Sequence, residues 1–251
     1  MKKRILPEGG FRTEVEGKVG QEIARVFSAS PDDIETRLEN FPKYIRRQKL
    51  TRFIALYEIF KKILSVKGSI IECGVYRGFG LMTWANLSAV LEPNNLTRRI
   101  YGFDTFEGLY SISEMDNSGV YAPRKGELYA DSYDELLKLI KIYDSNRFLG
   151  HITKIHLIKG DVTETVPKFI EENKHLVISL LFLDMDLYEP TKIAIEYFLP
   201  RMPKGAIVAF DELDNPIWPG ETMALLEKIG LNKLKIERLE FDPYIGFAEI
   251  N

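Results

Sequence analysis

The sequence has very little cysteine: Cys73 is the only one among 251 residues, so the chain cannot form an internal disulfide bond. A reducing compartment is therefore the expected setting. Long apolar runs are also missing, since none approaches the ~20 residues that a membrane-spanning helix needs. The basic start, MKKRILPEGG, has no apolar segment after it, so we expect no signal peptide and predict a cytoplasmic protein.

An excess of charge of one sign is lacking as well. The chain has 34 basic and 37 acidic side chains, and its net charge is −3. This balance implies no general attraction to nucleic acid or to acidic membranes, and we expect neither as a partner. Histidine is scarce, and the three that occur lie near the starts of predicted strands: His151, His156 and His175. We therefore predict no catalytic histidine.

The first quarter of the chain differs in pattern from the rest. Apolar residues recur at three- and four-residue steps between 44 and 65, which predicts an amphipathic helix. These residues are Leu50, Phe53, Ile54, Tyr57, Phe60 and Leu64. We predict an N-terminal helical appendage over 1–66 and a core domain over 67–251.

Short apolar runs alternate with helix-like segments in the core, which predicts an α/β fold with a parallel sheet covered on both faces. The strand-like runs are 68–73, 98–104, 154–159, 176–183 and 205–210, and the helix-like segments are 79–92, 131–149, 163–173, 188–199 and 220–229. Two further runs, 233–240 and 244–250, are separated by a short turn and predict an antiparallel hairpin at one edge.

Each of the five predicted parallel strands ends on a carboxylate. These residues are Glu72, Asp104, Asp161, Asp184 with Asp186, and Asp211 with Glu212. In an open α/β sheet ligands bind outside the carboxyl ends of the strands, so we expect these side chains on one rim. The pattern indicates a site for a ligand rich in hydrogen-bond donors, or for a metal.

Glycines follow the first strand in ECGVYRGFG, where Gly74, Gly78 and Gly80 permit a tight turn and close approach of a ligand. The spacing is neither that of dinucleotide-binding proteins nor that of a phosphate-binding loop, and no lysine begins the helix. A cofactor without phosphates fits this turn, and a purely structural turn fits it too. Asp104 could accept the hydroxyls of a ribose or could cap a turn.

Four segments carry a resemblance to a known family: IIECGVYRG at 70–78, YGFDTFEGL at 101–109, LDMDLYEPT at 183–191 and FDELDNPIWPGE at 210–221. The chain resembles class I S-adenosylmethionine-dependent methyltransferases, and more closely the macrocin O-methyltransferase (TylF-like) family. The resemblance implies a Rossmann-like, mostly parallel seven-stranded sheet with a C-terminal antiparallel hairpin. It also implies methyl transfer to a hydroxyl of a small molecule, a deoxysugar of a glycosylated natural product.

The resemblance further implies roles for single residues. Glu72 and Gly74 would lie at the methionine end of the cofactor, Asp104 at the ribose and Asp161 at the adenine amino group. The complete cofactor-binding set that it implies is Glu72, Gly74, Tyr76, Gly78, Asp104, Thr105, Asp161 and Asp184.

A divalent metal is part of the same resemblance. It implies that Asp184, Asp211 and Glu212 hold Mg²⁺, whose preferred ligands are hard oxygen atoms. This sequence has Asp-Glu where the family pattern has two aspartates, which leaves Glu212 as a ligand, a general base or a supporting group. Asp186 or Glu212 is expected to accept the proton of the acceptor, so the predicted catalytic residues are Asp184, Asp186 and Glu212. Asp186 could instead cap the helix at 188–199.

The segment 105–130 is long and lacks periodicity, as lids and binding loops do. We call it the lid segment and expect it, with the appendage, to cover the site. Trp218 could stack on a sugar or could pack its own loop. The resemblance also implies a homo-oligomer.

Two alternatives remain open from the residues. Asp184-Met185-Asp186 matches the D-x-D pattern of metal-dependent glycosyltransferases, although no basic phosphate-binding surface accompanies it in the strand-end motifs. A phenol or catechol could also replace the sugar as acceptor on the same methyltransferase core.

Overall fold

The structure, a computed structural model, describes residues 13–251. The segment on which we base the expected lack of a signal peptide, and the start of the predicted appendage, lie outside the described residues. The chain divides into two compact units, Met1–Ile54 and Ala55–Asn251. No helix of the described part is long and apolar enough to cross a membrane.

The first unit contains helices α1 (Glu14–Ala29) and α2 (Ile34–Glu39) and the beginning of α3 (Arg47–Lys62). A capping box begins α1: the Thr13 hydroxyl accepts from the N–H of Glu16 at 3.2 Å, and the Glu16 carboxylate accepts from the N–H of Thr13 at 2.9 Å. The remainder of α3 belongs to the second unit, where Leu56, Ile59 and Phe60 are fully buried. The second unit thus begins inside α3, whereas the sequence predicts the core from residue 67.

The second unit is built on a seven-stranded sheet. Its strands are β1 (Ser69–Cys73), β2 (Ile100–Asp104), β3 (Ile155–Lys159), β4 (Ile178–Leu183), β5 (Ile207–Phe210), β6 (Glu237–Arg238) and β7 (Gly246–Glu249). The spatial order is β3-β2-β1-β4-β5-β7-β6. The first five strands are parallel, and β7 pairs antiparallel with both β5 and β6. The predicted fold class, including the C-terminal hairpin at one edge, is confirmed.

Helices cover both faces of this sheet because its central strands are apolar on both sides. They are α4 (Phe79–Leu91), α5 (Tyr133–Asn146), α6 (Val162–Glu172), α7 (Tyr188–Phe198) and α8 (Gly220–Lys228). One apolar cluster includes α4 and α5, and the other includes α6, α7 and α8. Trp84 of α4 packs edge-on against Phe182 of β4 at 5.6 Å between ring centroids. Burial of each such side chain contributes roughly 1.5–3 kcal/mol, which makes β4 a rigid support for the residues that follow it.

The chain reverses its direction of progress across the sheet at β1, which lies between β2 and β4. Such a switch point opens a crevice at the carboxyl ends of the two central strands. Here the two strand ends remain tied together, because the N–H of Asp184 donates to the carbonyl of Cys73 at 2.9 Å. The sheet therefore delivers the ends of β1, β2 and β4 to one place.

Candidate active site

A cavity of about 220 Å³ lies at the carboxyl edge of the sheet. Residues from the ends of β1, β2 and β4, from the starts of α6 and α7 and from the lid segment line it. The polar or glycine positions are Gly74, Tyr76, Asp104, Thr105, Gly108, Tyr110, Ser111, Asp161, Asp184 and Asp186. Among the described residues, no lysine, arginine or histidine belongs to this lining. The cavity is thus suited to a ligand that donates hydrogen bonds or carries positive charge.

Gly74 lets β1 and β4 approach closely at the floor of the cavity. It has φ +95°, and a Cβ atom built on it would lie 1.7 Å from the carbonyl oxygen of Asp184. No other residue can occupy this position without moving a strand end. Tyr76, two residues later, also has a positive φ of +51° and is half exposed at 46%. The turn therefore places backbone atoms, rather than side chains, at the floor.

Two backbone N–H groups fix the carboxylate of Asp104. One oxygen accepts from Tyr76 at 2.7 Å and the other from Phe106 at 2.6 Å. Each carboxylate oxygen can accept more than one bond, so both can still receive ligand hydroxyls. Thr105 closes the following turn, because its hydroxyl donates to the carbonyl of Gly108 at 2.7 Å. Asp104 is therefore oriented before any ligand arrives.

Asp161 caps α6 and faces the cavity at the same time. One of its oxygens accepts from the N–H and the hydroxyl of Thr163, both at 2.8 Å. The other accepts a hydrogen bond from the hydroxyl of Ser111, in the lid segment. Reasoning from the sequence missed Ser111, which stands in an unpatterned loop and carries no signal of its own.

Two of the predicted cofactor residues do not line the cavity. Glu72 is 1% exposed, and a Cβ atom on Gly80 would lie 2.6 Å from its carboxylate, so Glu72 lies directly beneath the start of α4. Gly78 is the N-cap of α4 with φ +81°, and its missing side chain makes room for Leu136 of α5. Gly78 keeps the turn tight, while contact of Glu72 and of Gly78 with the cofactor stays a prediction.

Cys73 is fully buried at the end of β1. Burial, and then the negative charges of Glu72 and Asp104, raise the pKa of its thiol well above the ordinary value. The thiol stays protonated, which agrees with a packing residue and not with a nucleophile.

The predicted metal ligands are not gathered into a ligand set. Asp184 lines the cavity, whereas Asp211 is 8% exposed and does not, and the carboxylate of Glu212 accepts a hydrogen bond from Asn215. Within residues 13–251, no group of three or more histidine, cysteine, aspartate or glutamate side chains is arranged to hold a metal ion. The structure therefore does not support the set Asp184, Asp211 and Glu212.

One carboxylate, to which we assign no role from the sequence, bonds to the residues that follow β4 and to those that follow β5. Glu221, in the first turn of α8, is completely buried and accepts from the backbone N–H groups of Met185, Asp186 and Glu212. Burial, followed by the negative charges of Asp186, Asp211 and Glu212, raises the pKa of Glu221 well above its ordinary value. Its sequence context, a glutamate early in a helix, is too common to have singled it out.

The lid segment is anchored beside α7. The N-cap residue of α7 is Leu187, which provides no side-chain cap, so Asp186 is not the N-cap residue of this helix. Instead Asp116, which is fully buried in the lid segment, accepts from the N–H of Tyr188 at 2.6 Å. The excursion from 110 to 125 is closed at its base by two backbone bonds that join Leu109 to Gly126 and Glu127, at 2.9 and 2.8 Å.

Trp218 packs on the lid segment, a contact that neither of its two interpretations predicts. Its ring meets that of Tyr121 edge-on at 4.9 Å between centroids. The Tyr121 hydroxyl donates to Glu127 at 2.5 Å. Burial first, and then Glu127 and Asp186, raise the pKa of Tyr121 to about 12, so this hydroxyl remains a donor at neutral pH.

Three comparisons agree on the family. A sequence model of the macrocin O-methyltransferase (TylF) family matches residues 44–226, more than half of the chain. The crystal structure of CalS11, a calicheamicin methyltransferase, is 36% identical with a TM-score of 0.90, and the match covers 95% of this chain and 93% of that one. An apo structure of CalS11, described as a TDP-rhamnose 3'-O-methyltransferase of calicheamicin biosynthesis, is 35% identical with a TM-score of 0.83 and 95% coverage of both chains.

A curated relative comes from Streptomyces olivaceus, the 8-demethyl-8-(2,3-dimethoxy-alpha-L-rhamnosyl)-tetracenomycin-C 4'-O-methyltransferase. It is 27% identical over 149 residues, which are 59% of this chain and 53% of the relative. The match thus spans about half the length of that relative. The resemblance predicted from the sequence is confirmed: the chain belongs to the macrocin O-methyltransferase family.

Proposed function

We propose that this chain is an S-adenosylmethionine-dependent O-methyltransferase that methylates a hydroxyl of a deoxysugar in the biosynthesis of a glycosylated natural product. The observation that carries the proposal is the cavity at the switch point of the sheet. The glycine turn after β1, Asp104, Asp161 and the aspartates that follow β4 all line this cavity.

The donor set of the cavity fits the cofactor. Besides the carboxylate of its methionine end, S-adenosylmethionine presents a sulfonium, an ammonium, two ribose hydroxyls and an adenine amino group, which are cations or hydrogen-bond donors. The described lining offers carboxylates and no cationic side chain. We assign Asp104 to the ribose hydroxyls, Asp161 to the adenine amino group, and the turn at Gly74 and Tyr76 to the methionine end. When bound, this cofactor supplies an electrophilic methyl group.

The acceptor side of the reaction is assigned to the residues after β4. The acceptor oxygen must lose a proton as it gains a methyl group, and Asp186 lines the cavity with a carboxylate that can take it. Asp184 lines the same wall and can orient the hydroxyl. Leu187 and residues of the lid segment contribute apolar side chains to the same cavity. Glu212, the other predicted proton acceptor, does not line the cavity and is the weaker candidate.

A sugar acceptor is supported by the names of the relatives. Both CalS11, as a TDP-rhamnose methyltransferase, and the tetracenomycin enzyme are described as acting on rhamnose-type sugars. The glycosyltransferase alternative loses its support, because D-x-D lies here in a methyltransferase family and the described cavity lining has no cation for a diphosphate. A phenol acceptor remains the competing outcome of the test.

Our proposal includes dependence on Mg²⁺ only because the resemblance to the family implies it. The chemistry of Asp184, Asp211 and Glu212 suits Mg²⁺, but their arrangement does not form a ligand group, and no step above uses a metal. Activity of wild-type enzyme with EDTA and with added Mg²⁺ measures the dependence. The predicted homo-oligomeric state and cytoplasmic setting likewise stay predictions, and light scattering of the purified chain measures the former.

The test has two parts. Calorimetric titration with S-adenosylhomocysteine, with and without Mg²⁺, measures the cofactor site, for which we expect micromolar binding. Methyl transfer to TDP-rhamnose and to catechol is then followed by mass spectrometry. A mass gain of one methyl group on the sugar alone supports the proposal, gain on catechol alone replaces the acceptor class, and absence of cofactor binding contradicts the activity.

A further inference from the structure

β4 and β5 are adjacent parallel strands, and the loops that follow them carry four acidic residues: Asp184, Asp186, Asp211 and Glu212. Like charges at short range repel, so the backbone that carries them needs a fixed support. Both loops receive that support from one side chain of α8. This side chain is Glu221, which lies 35 residues from Asp186 and nine from Glu212 along the chain.

Glu221 bonds to both loops at once. Its Oε1 accepts from the N–H of Met185 at 3.2 Å and from that of Asp186 at 3.4 Å. Its Oε2 accepts from the N–H of Glu212 at 3.1 Å. The side chain has no exposure to solvent. Because the bond to Met185 is buried on both sides, loss of this carboxyl group would leave the N–H of Met185 without an acceptor.

The start of α8 is pressed against the same backbone. A Cβ atom on Gly220 would lie 2.5 Å from the carbonyl oxygen of Asp186 and 2.5 Å from the nitrogen of Tyr188. There is no space for the helix to shift toward the loop. Asp186 itself has φ +61°, a conformation that an aspartate adopts only when its surroundings hold it there.

We propose that Glu221 is a positioning residue for methyl transfer, which holds the backbone of Asp186 so that the Asp186 carboxylate meets the acceptor hydroxyl. This inference rests on the proposed function. Glu221 does not line the cavity, whereas Asp186 does, so Glu221 acts through Asp186. The expected consequence of its loss is a misplaced proton acceptor in a site that still binds its cofactor.

The variant Glu221→Gln tests this with little change in volume. Glutamine keeps one acceptor oxygen, but its NH₂ group faces an N–H donor on the other side. We expect kcat for the sugar acceptor to fall roughly 10- to 100-fold, as a displacement of about 1 Å at the reacting group does. The KM for S-adenosylmethionine and the affinity for S-adenosylhomocysteine should change less than about twofold, because the hydrogen bonds that fix Asp104 and Asp161 do not involve Glu221.

Glu227→Gln is the matched control on the same helix. Its exposed side chain bonds to Tyr188 and Lys192 of α7, and not to the N–H groups that Glu221 holds. We expect its kcat to match that of wild type. A full kcat in folded Glu221→Gln would overturn the proposal. So would a fall in kcat that is accompanied by an equal loss of affinity for S-adenosylhomocysteine, which would indicate general disruption.

Amide hydrogen exchange gives a readout that needs no acceptor. In Glu221→Gln the amides of Met185, Asp186 and Glu212 should lose protection, while those of β1 and β2 keep it. Unchanged protection at these three amides contradicts the positioning role. If wild-type enzyme methylates no sugar, the proposed function fails, and the exchange experiment still decides whether Glu221 holds the two loops.

Discussion

The carboxylate of Asp116 caps the helix that begins at Tyr188, at 2.6 Å from its backbone nitrogen and 72 residues away in sequence. The second oxygen of Asp116 accepts from the N–H and the hydroxyl of Ser113, which fixes the turn around it. The lid segment and the helix after the Asp184–Asp186 pair therefore form one unit. Substitution of Asp116 should therefore destabilise both the lid segment and α7.

We expect Asp116→Ala to lower the free energy of unfolding by about 1–3 kcal/mol, because it leaves the buried N–H of Tyr188 without an acceptor. Urea denaturation measures this loss. Asp131→Ala, at an exposed position near the end of the lid segment, is the control and should change stability by less than ~0.5 kcal/mol. Equal stability of the two variants would show that the cap contributes nothing.

Gly74→Ala should abolish binding of S-adenosylhomocysteine. The new methyl group would meet the carbonyl oxygen of Asp184 at 1.7 Å and would force β1 and β4 apart. Calorimetry measures the binding. Gly17→Ala, on a helix position with open space around it, is the control: it should leave binding intact and stabilise the chain by roughly 0.5–1 kcal/mol. Binding by Gly74→Ala at wild-type affinity would contradict the geometry of the floor.

Asp104→Asn should weaken S-adenosylhomocysteine roughly 10- to 100-fold, the effect of losing charged hydrogen bonds to a ligand. The amide would also direct an NH₂ group at the N–H of Tyr76 or of Phe106. Titration calorimetry reports the change. Glu107→Gln, at an exposed position three residues along, should bind like wild type. An Asp104 variant that binds normally would remove this residue from the cofactor site.

Lys154, which does not line the cavity, makes a pH-dependent contribution to the free energy of unfolding. Burial first lowers its pKa from 10.5 to about 8, Glu92 opposes this, and Arg147, Arg98 and Arg99 add to it. Between about pH 8 and pH 10.5 the unfolded chain holds a proton that the folded chain has lost, so this term makes stability rise with pH across that window. Above it, both states are neutral and the term is constant.

Urea midpoints of wild type and Lys154→Met at pH 7.5 and 9.5 isolate this term. The urea midpoint of wild type relative to that of Lys154→Met should be higher at pH 9.5 than at pH 7.5. The reason is that only wild type loses the cost of a buried ammonium at the higher pH. Other groups titrate in both proteins and cancel in the comparison. A difference that does not change with pH would show that Lys154 titrates normally.

Much of the fold could be predicted because its signals are local. The strands before Asp104, Asp161 and Asp184 are short apolar runs, and each carboxylate follows its run directly, so topology alone brings them to one edge. The resemblance then supplied roles that no spacing can give. The family and the fold class were predicted correctly on these grounds.

The parts that sequence reasoning missed depend on contacts across the fold. Ser111 reaches Asp161 from an unpatterned segment, Asp116 caps a helix that begins far along the chain, and Glu221 bonds to two loops at once. None of these residues stands out by type or spacing. The metal set of Asp184, Asp211 and Glu212 stays a prediction for a related reason: adjacent strands bring acidic residues near one another, but the direction of each side chain depends on local partners such as Asn215.

The two backbone bonds that join Leu109 to Gly126 and Glu127 hold together the two ends of the excursion 110–125. The excursion can therefore be exchanged as one segment. A replacement segment that begins after Leu109 and ends before Gly126 leaves the cofactor turn, the sheet and the acidic loops in place, provided that it keeps Ser111 and Asp116. Exchange of the remaining positions between family members is thus a route by which one scaffold could acquire new acceptors, in the laboratory as in the history of the family.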